Sequence, residues 1–587
     1  MRPKTALTWV LRTCGKPQWQ TVVTTALVVS IFTVSAIAQK PVAALPQVYI
    51  NTTYSLPTGG TTWAAHTSAQ LSSAIRSSVP GDVIVLDAGA TYSGAFQLPV
   101  KSNPNHKWIY IISSGLANLP AGTRVSPAEA SSMAKIVTPN VAAAFQVDFG
   151  ADHWRLAGLE ITAASHYPSG CGSTGRPHCF TYFLIGSQWR PVPTATNITV
   201  DRCYIHGSPT QDMQSALMMN WPYGAVVDSY ISDVHAKGLD SQAVGSYYSP
   251  GPLKIVNNYL SAAGENILFG GAGGNSDPVT SDIEIRNNYL YKPLSWIPLS
   301  VSPGIGTVDG LVEKNAFEVK NAQRVLFDSN TIENVWAAGQ NGYAIVLTVR
   351  TSQSGDNAVV NDITITNNLL KNVVAGFNTL AKDDVCGPAG GYPNCHNAGS
   401  QARWNIADNL ITLYDPTHPG GFRNLAIVFQ PGLDRITGKQ PSINDVVFQH
   451  NTVVSAASTP CWESVYFSTG GAVYPYNNPP VSQNVWILDN VLCRQPNGDG
   501  GLMGTTGLTQ YMGVPSVAQY DVTHRFYGNA MYVPPGERLH SYPAHNYATT
   551  VPFTYVNPAT LDYQLVTPFW TDTSDGRLAG VNNNNIP

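Results

Sequence analysis

Short stretches of alternating apolar and polar residues recur along most of this chain, and each one runs into a similar bend. Alternation with a period of two is typical of a β-strand that buries one face. The clearest stretches are NITV, LKIV, DIEI, RVLF, DITI, DVVF and NVWI. The pattern therefore predicts an all-β protein built from repeated strand–bend–strand units.

The bends share one position, and asparagine fills it in most of the repeats. The aligned residues are Cys203, Ser229, Asn258, Asn288, Asn330, Asn368, Asn409, Asn451 and Asn490. A variable interval around a fixed core is typical of solenoid coils whose extra residues form loops. An asparagine at each bend can bond the backbone of the next coil, so we expect a ladder. Cys203 then becomes a small buried core residue and not a reactive thiol.

A β-sandwich and a β-propeller are the alternatives for a chain of many short strands. Sandwiches do not repeat one polar residue at a coil period, and propeller blades carry different signatures. The solenoid remains the favoured architecture.

The strand–Asn–strand repeat resembles the right-handed parallel β-helix of the pectate-lyase-like superfamily. The resemblance covers roughly residues 80–500 and implies a single-stranded solenoid of about ten coils, each with three strands. The segment AQLSSAIRSSVPGDVIVLDAGATYSG resembles the helix and first strand that open many such proteins. Leu71 and Ile75 lie one turn apart there, on a face suited to cover the core end, so we expect a short N-terminal capping helix.

The two ends of the chain predict further segments. Basic residues precede an apolar run at 21–38 that ends in AIA, the pattern of a signal peptide cleaved after Ala38; an uncleaved membrane anchor is the alternative. The predicted division is a signal at 1–38, an N-terminal extension at 39–66, the β-helix with its capping helix at 67–510 and a closing segment at 511–587.

Composition narrows the choice of partners and compartment. A net charge of −4 and a pI near 6.3 give no basic surface, so nucleic acid is not expected as a partner. Beyond residue 38 no apolar run approaches the roughly 20 residues of a membrane-spanning helix. We therefore expect a protein that is secreted, periplasmic or at the cell surface. The resemblance implies a polysaccharide as its partner, and we expect a monomer.

Export permits disulfide bonds, and the cysteine spacing suggests three of them. Cys14 would leave with the signal peptide, and Cys203 would remain unpaired. The predicted pairs are Cys171–Cys179, Cys386–Cys395 and Cys461–Cys493. Metal binding is the competing interpretation, but the chain contains no CxxC motif.

Candidate chemistry lies in the strands that precede the ladder strands, because in this architecture those strands line a groove that binds polysaccharide. Within AFEVK, alternation turns Phe317 and Val319 inward and turns Glu318 and Lys320 outward. One coil later Arg350 also points outward. Neighbouring coils lie about 4.8 Å apart, so Lys320 and Arg350 are expected side by side.

An E-x-K strand followed one coil later by an outward arginine is similar to alginate-lyase-like β-helix lyases. The resemblance implies that Lys320 is the base, Arg350 the acid, and Glu318 a ligand of Ca²⁺, with Glu265 as a second candidate metal ligand. The chain departs from that family's pattern, because Thr351 follows Arg350 where RHG is usual, and Asn321 follows Lys320 where KS is usual. These departures leave the substrate and the mechanism open.

The chemistry sets a condition on Glu318. β-Elimination needs the uronate carboxylate to be neutralised, by Ca²⁺ or arginine, before the neighbouring proton becomes acidic. A bare Glu318 would raise the pKa of Lys320 and oppose its role as a base. Without a metal, the pair is a surface salt bridge worth about 0 to 1 kcal/mol.

Other residues are candidates for substrate binding because they carry polar or aromatic groups near the predicted groove. They are Asp240, Gln242, Asn266, Lys292, Trp296, Trp336 and Tyr343. Aromatic rings can stack on sugar faces, although packing under loops is the alternative.

Two other functions compete with the lyase. A glycoside hydrolase would use a pair of carboxylates among Asp240, Glu265, Asp383 and Asp384, since such enzymes need two of them about 5 to 9.5 Å apart. The remaining alternative is a non-catalytic scaffold that binds glycans at a surface.

Overall fold

The computed structural model describes most of the chain beyond residue 38. The described residues are 39–164, 181–187, 194–271, 278–299, 310–350, 358–382, 400–414, 424–430, 442–455, 463–468, 482–493, 502–506, 509–512, 525–532, 543–549, 551–566 and 572–587. The predicted signal peptide lies outside them.

Three long sheets run the length of the stack, and the coils from β2 to β37 each contribute one strand to each sheet. The strands are numbered in chain order. Sheet A contains β1 (Thr62–Ala65), β2 (Val83–Leu86), β5 (Ile109–Ser113), β8 (Asp152–Ala157), β11 (Thr196–Asp201), β14 (Gly224–Val227), β17 (Leu253–Val256), β20 (Thr280–Arg286), β23 (Ala322–Asp328), β26 (Val359–Thr366), β29 (Ser400–Ala407), β32 (Asn444–Gln449), β35 (Gln483–Leu488) and β39 (Arg525–Tyr527). Sheet B contains β3 (Thr91–Ser93), β6 (Ala134–Thr138), β9 (Leu159–Ala163), β12 (Tyr204–His206), β15 (Tyr230–Val234), β18 (Tyr259–Ala262), β21 (Tyr289–Tyr291), β24 (Thr331–Val335), β27 (Leu369–Val373), β30 (Leu410–Leu413), β33 (Thr452–Ser455), β36 (Val491–Leu492), β40 (Ala530–Tyr532) and β41 (Tyr547–Thr549).

Sheet C completes each coil. It contains β4 (Phe96–Leu98), β7 (Phe145–Val147), β10 (Thr181–Gly186), β13 (Met213–Met218), β16 (Gln242–Ser246), β19 (Glu265–Phe269), β22 (Phe317–Val319), β25 (Tyr343–Thr348), β28 (Ala375–Leu380), β31 (Leu425–Gln430), β34 (Glu463–Ser468), β37 (Leu502–Thr506) and β38 (Thr509–Met512). Its described pairs are parallel except β37 with β38. A separate antiparallel pair joins β42 (Tyr555–Asn557) to β43 (Asp562–Leu565).

This topology confirms the predicted single-stranded parallel β-helix. Sheets A, B and C have 14, 14 and 13 strands, so the stack is longer than the predicted ten or so coils. The undercount has a physical cause. The first coils carry no asparagine at the bend, and strands β39 to β41 beyond residue 510 have only three residues each, too few to show alternation.

The predicted ladder is present and continues past its predicted end. Each ladder amide oxygen accepts the backbone N–H of the preceding ladder residue, as between Asn330 Oδ1 and the N–H of Asn288 at 2.9 Å. The series runs on from Asn490 to Asn529 and Asn546. Cys203 heads it, fully buried and without a disulfide, and burial raises the pKa of its thiol to about 12. The prediction of a buried, unreactive thiol is confirmed.

A helix closes the N-terminal end of the core. Helix α1 (Ser68–Ser77) begins at Thr67, whose side chain accepts the N–H of Gln70, and it buries Leu71 and Ile75 as expected. Within the described ranges, the short 3₁₀ helices are Leu116–Asn118, Pro127–Ser132, Leu294–Trp296, Pro558–Thr560 and Asn583–Asn585. Behind α1 lies one continuous apolar core that reaches from Ala65 to Met531.

A strap formed by residues 40–60 runs along the outside of sheet A. Its contacts, in order, are Lys40 with Gln449, Ala44 with Asp362, Gln47 with Asp282, Ile50 with Lys254 and Tyr54 with Arg202. The partners lie on progressively earlier coils, so the strap crosses the stack from β32 to β11.

A row of alternating acids and arginines lies beneath the strap. Asp282, Arg324, Asp362 and Arg403 occupy equivalent positions on successive coils, all with left-handed backbone. Arg324 and Arg403 each bind the preceding aspartate through two hydrogen bonds, with Nε to Oδ1 distances of 2.7 and 2.6 Å. We call these four residues the Asp–Arg row.

The disulfide predictions cannot be followed in the described part of the chain. Each predicted pair includes at least one cysteine that lies outside the described residues. Asp383 and Asp384 also lie outside them. Among the described residues, no helix has the length and apolar character required to cross a membrane.

Candidate functional site

The strands predicted to line a groove all belong to sheet C. The prediction that they lie side by side is confirmed. The register pairs Phe317 of β22 with Ile345 of β25, and Glu318 with Val346. Phe317 and Val319 are fully buried in the central core, as alternation requires. Glu318 therefore points away from the core, in the predicted direction.

Outward direction does not make Glu318 exposed. Leu268, its neighbour on β19, packs with Tyr247 and Tyr248 on the outer face of the sheet. Only 3% of the Glu318 side chain and 13% of the Lys320 side chain remain accessible. The site is thus a covered cluster and not a solvated surface pair.

Two glutamates from successive coils meet in this cluster. Glu265 begins β19 and is fully buried, and its carboxyl group hydrogen-bonds that of Glu318. The other Glu265 contacts are Gln242 Nε2 at 2.8 Å and Lys314 Nζ at 3.2 Å. Two carboxyl groups can hydrogen-bond only if one of them carries a proton.

The surroundings decide which carboxyl is ionised. Burial disfavours the charge of both groups, but Lys314 and Lys320 outweigh it at Glu265 and hold the pKa of that carboxyl below its ordinary value. Burial raises the pKa of Glu318, and the nearby charge of Glu265 raises it further. Of the two carboxyls, Glu318 is therefore the one that takes up a proton more readily.

Two lysines flank the paired carboxyls. Lys320 Nζ lies 3.1 Å from Glu318 Oε1. Lys314 Nζ donates to Asp240 Oδ2 at 2.6 Å as well as to Glu265, and Asp240 is the most exposed member, with 44% of its side chain accessible. Burial opposes the charge of Lys314, but the carboxylates of Glu265 and Asp240 reverse the effect and raise its pKa.

Glycines make room for this arrangement. A Cβ on Gly264 would lie 2.3 Å from the carbonyl oxygen of Ser241, and one on Gly271, which has a φ of +95°, would lie 2.4 Å from Cδ of Lys320. The first glycine lets the turn before Glu265 approach the previous coil, and the second leaves space for the lysine stem.

The backbones of Lys320 and Arg350 lie next to each other. The N–H of Arg350 donates to the carbonyl of Lys320 at 3.0 Å, which places the two residues on neighbouring coils. The roles of base and acid remain predictions.

Lys292 lies under the cluster instead of at its surface, which corrects the prediction of substrate contact. Its fully buried Nζ donates to the carbonyls of Ala262, Ala263 and Gly264 at 2.8, 2.8 and 2.6 Å. Burial lowers its pKa to about 8, although Glu313, with an oxygen 3.7 Å away, opposes the shift. Lys292 thus fixes the turn that leads into Glu265.

Three more of the predicted substrate contacts are also internal. Asn266 is fully buried and donates to the carbonyls of Leu260 and Tyr291. Trp296 and Trp336 pack in a small apolar cluster beside the core, with 7% and 0% of their surface exposed. Burial under loops, the alternative considered for the aromatics, explains their positions.

The remaining predicted contacts have mixed positions. Gln242 is buried and bridges Ser215 to Glu265. Tyr343 is half-buried at the start of β25, opposite Ala375, and its contact with a substrate stays a prediction.

Three residues of the cluster are not among the predicted site residues, although the sequence places Lys314 where it could reach the groove from a loop. Lys314, Asn315 and Gln340 lie before strands, where alternation assigns no direction. Asn315 Nδ2 donates to Gln340 Oε1 at 3.0 Å and to Glu318 Oε2 at 3.3 Å. One signal was available: Lys314 is one of the few lysines next to a groove strand in a chain with 12% charged residues.

No protein-family model and no curated protein matches this chain. Among solved structures it is similar to the PL6 family alginate lyase AlyGC, with 13% identity and a TM-score of 0.46 over 90% of this chain and 58% of that one. It is also similar to the tailspike protein of E. coli bacteriophage HK620, with 10% identity and a TM-score of 0.41 over 79% of this chain and 62% of that one. A mannuronic acid specific polysaccharide family 6 lyase from human gut microbiota gives 11% identity and a TM-score of 0.36, with 83% of each chain covered. The chain thus spans less than two thirds of the first two proteins.

Proposed function

We propose that this protein is an exported polysaccharide lyase that cleaves a uronate-containing glycan by β-elimination at the Glu265–Glu318 cluster. The observation that carries the proposal is the pair of buried carboxyls from successive coils that lies between Lys314 and Lys320. A structural ion pair needs one acid and one base, whereas this arrangement places two carboxyls and two ammonium groups in one covered cluster. The cations suit an anionic substrate.

The side chains fit a hard cation such as Ca²⁺. Calcium is bound by six to eight oxygens, chiefly from carboxylates and amide carbonyls. Glu265 and Glu318 supply carboxylates, and Asn315 Oδ1 is a buried oxygen that accepts no hydrogen bond from the described residues. When bound to Glu265, Glu318 and Asn315, Ca²⁺ would neutralise the substrate carboxylate and take up the charge of an ionised Glu318.

The chain's own residues divide the elimination between them. Lys320 takes the proton from the carbon next to the uronate carboxylate, a carbon–carbon double bond forms, and the glycosidic carbon–oxygen bond breaks. Arg350 neutralises the carboxylate or donates the proton that the leaving oxygen needs. Lys320 must first be neutral, and a negatively charged Glu318 beside it would oppose this.

A hydrolase remains the second candidate because Asp240 and Glu265 both bind Lys314. That shared ammonium holds an oxygen of each carboxylate, at 2.6 and 3.2 Å, and retaining glycosidases likewise bring two carboxyl groups to about 5 Å from each other. However, Lys314 and Lys320 hold the pKa of Glu265 below its ordinary value, so Glu265 does not suit the protonated role that one carboxyl of a glycosidase must fill. The pair Glu265–Glu318 is too close for that geometry, since its members touch.

A panel of uronate polymers tests the proposal. We expect the ultraviolet absorbance of an unsaturated product from at least one polymer, loss of that signal with a Ca²⁺ chelator, and recovery when Ca²⁺ is returned. Lys320→Ala should lower the rate by about 10²- to 10⁴-fold, the usual contribution of a general base.

The matched control is Lys371→Ala, which removes a lysine from an ion pair of similar length, 3.0 Å, with Glu333 on sheet B. That variant should keep the wild-type rate. Reducing ends without an unsaturated product would point to the hydrolase. Normal turnover by Lys320→Ala would remove that residue from the mechanism, and binding without any product would leave a glycan-binding scaffold.

A further inference from the structure

A second cluster of ligand-type side chains lies on the N-terminal coils, far along the stack from the glutamates. His106 belongs to the loop between β4 and β5, and Asp152 and His153 begin β8. One ligand atom from each of the three residues lies within 4.8 Å of the others. The imidazole rings of His106 and His153 have centroids 5.6 Å apart.

Neighbouring side chains hold these three groups in place. Asn103 Nδ2 donates to Asp152 Oδ2 at 3.2 Å, and Asn197 Nδ2 donates to Asp152 Oδ1 at 3.3 Å. His153 Nδ1 contacts Asp152 Oδ1, and the edge of Trp108 packs against the His153 ring. Amide donors of this kind orient carboxylates at metal centres, because they fix the oxygens and leave lone pairs for the metal.

The loop that carries His106 is itself anchored. Asn103 Oδ1 accepts the N–H of Lys107 at 2.9 Å, and Asn103 Nδ2 donates to the Lys107 carbonyl at 3.0 Å. The same asparagine therefore shapes the loop and binds Asp152. His106 is exposed, whereas His153 is 8% exposed, so the group opens to solvent on one side only.

We propose that His106, Asp152 and His153 form a binding site for a divalent transition-metal ion of the Zn²⁺ class. Two imidazole nitrogens and one carboxylate are a ligand set that zinc, nickel and copper accept, whereas Ca²⁺ and Mg²⁺ require oxygen. Three protein ligands leave a coordination position for water on the exposed side. The ion would join the β4–β5 loop to the next coil.

The other three-ligand group among the described residues has a different character. Asp489 contacts Ser574 and accepts Gln449 Nε2, while Arg577 binds Asp575 at 3.0 Å. Arg577 already supplies Asp575 with the positive charge that a metal would bring. The group of His450, Asp489 and Asp575 therefore ties the C-terminal segment to the coils.

Zn²⁺ titration of the tag-free full chain by calorimetry tests the proposed site, with excess Ca²⁺ present to fill oxygen-rich sites. We expect one tight equivalent, and at least about a 10-fold weaker affinity in His106→Ala and in Asp152→Asn. His66→Ala is the matched control, because His66 contacts Asp87 at 2.8 Å and lies in no three-ligand group of the described residues. Its titration should match that of the wild type.

The spectrum of bound Cu²⁺ gives a second measurement that a folding defect does not imitate. Electron paramagnetic resonance should show two coordinated nitrogens in the wild type and one in His106→Ala. Equal Zn²⁺ affinity in wild type and His106→Ala, or no tight equivalent in the wild type, would overturn the site. Glu318→Gln should retain the Zn²⁺ equivalent, so this result is independent of the lyase proposal.

Discussion

The Asp–Arg row on sheet A and the glutamate cluster on sheet C use similar charges in opposite ways. In the row each aspartate has its own arginine, a bidentate contact and a backbone N–H from the strap. Hydrogen bonds from Arg324 are the largest influence on Asp282, and its pKa falls. In the cluster two carboxyls face each other away from water, and the pKa of Glu318 rises.

The difference shows how the charge of a buried acid depends on whether it has its own arginine. An acid whose charge is matched across coils stays ionised and supports the stack. An acid buried beside another acid must keep a proton or find a cation, which is a common property of functional sites and a poor choice for stability alone. The same solenoid therefore carries a structural charge row on one face and a chemically poised cluster on another.

The largest expected effect is on activity. Glu318→Gln removes a carboxylate from the cluster and should lower the lyase rate by about 100-fold or more, while Asp362→Asn in the row should leave the rate unchanged. Initial rates on the best polymer of the panel measure both. Equal decreases of the rate in the two variants would show that the row and the cluster do not differ in function.

The second expected effect is on stability and concerns the support beneath the cluster. Lys292→Met leaves three backbone carbonyls without their donor, so the free energy of unfolding should fall by about 3 kcal/mol or more. Lys371→Met is the control, because that lysine lies on sheet B with 36% of its side chain exposed, in an ion pair with Glu333, and should contribute less than about 1 kcal/mol. Chemical unfolding measures the free energy of unfolding of both variants. A small decrease in Lys292→Met would show that the turn before Glu265 is stable without the lysine.

The smallest expected effect is on how the stability of the protein changes with pH, which has opposite signs for the Asp–Arg row and for Glu318. The lowered pKa of Asp282 and Asp362 means that their contribution is present above the unfolded value, about 3.9, and is lost as pH falls through the folded value. The raised pKa of Glu318 has the reverse consequence, since the folded protein loses stability as pH rises above the ordinary value for glutamate. Glu318→Gln should therefore melt above the wild type by an amount that grows with pH. Thermal unfolding across a pH series measures this, and parallel curves would contradict the raised pKa of Glu318.

Residues whose positions follow from the local sequence could be predicted. Residues whose positions depend on contacts between coils could not. The ladder from Asn258 to Asn490 and the inward direction of Phe317 follow from spacing alone, because each coil repeats the same local geometry. The pairing of Glu265 with Glu318 does not, since it depends on a turn between coils and on what covers the outer face. Lys292 was read as a surface lysine for the same reason: only the folded chain brings three carbonyls around its ammonium group.

The strap of residues 40–60 changes how unfolding spreads through the molecule. In a simple solenoid each coil touches only its neighbours, so the ends can fray while the middle stays folded. A segment that is bound at once to Gln449, Asp362, Asp282, Lys254 and Arg202 cannot detach from one coil without loosening its hold on the others. It couples coils that are far apart in the stack, and so turns a row of nearly independent units into one that opens as a whole.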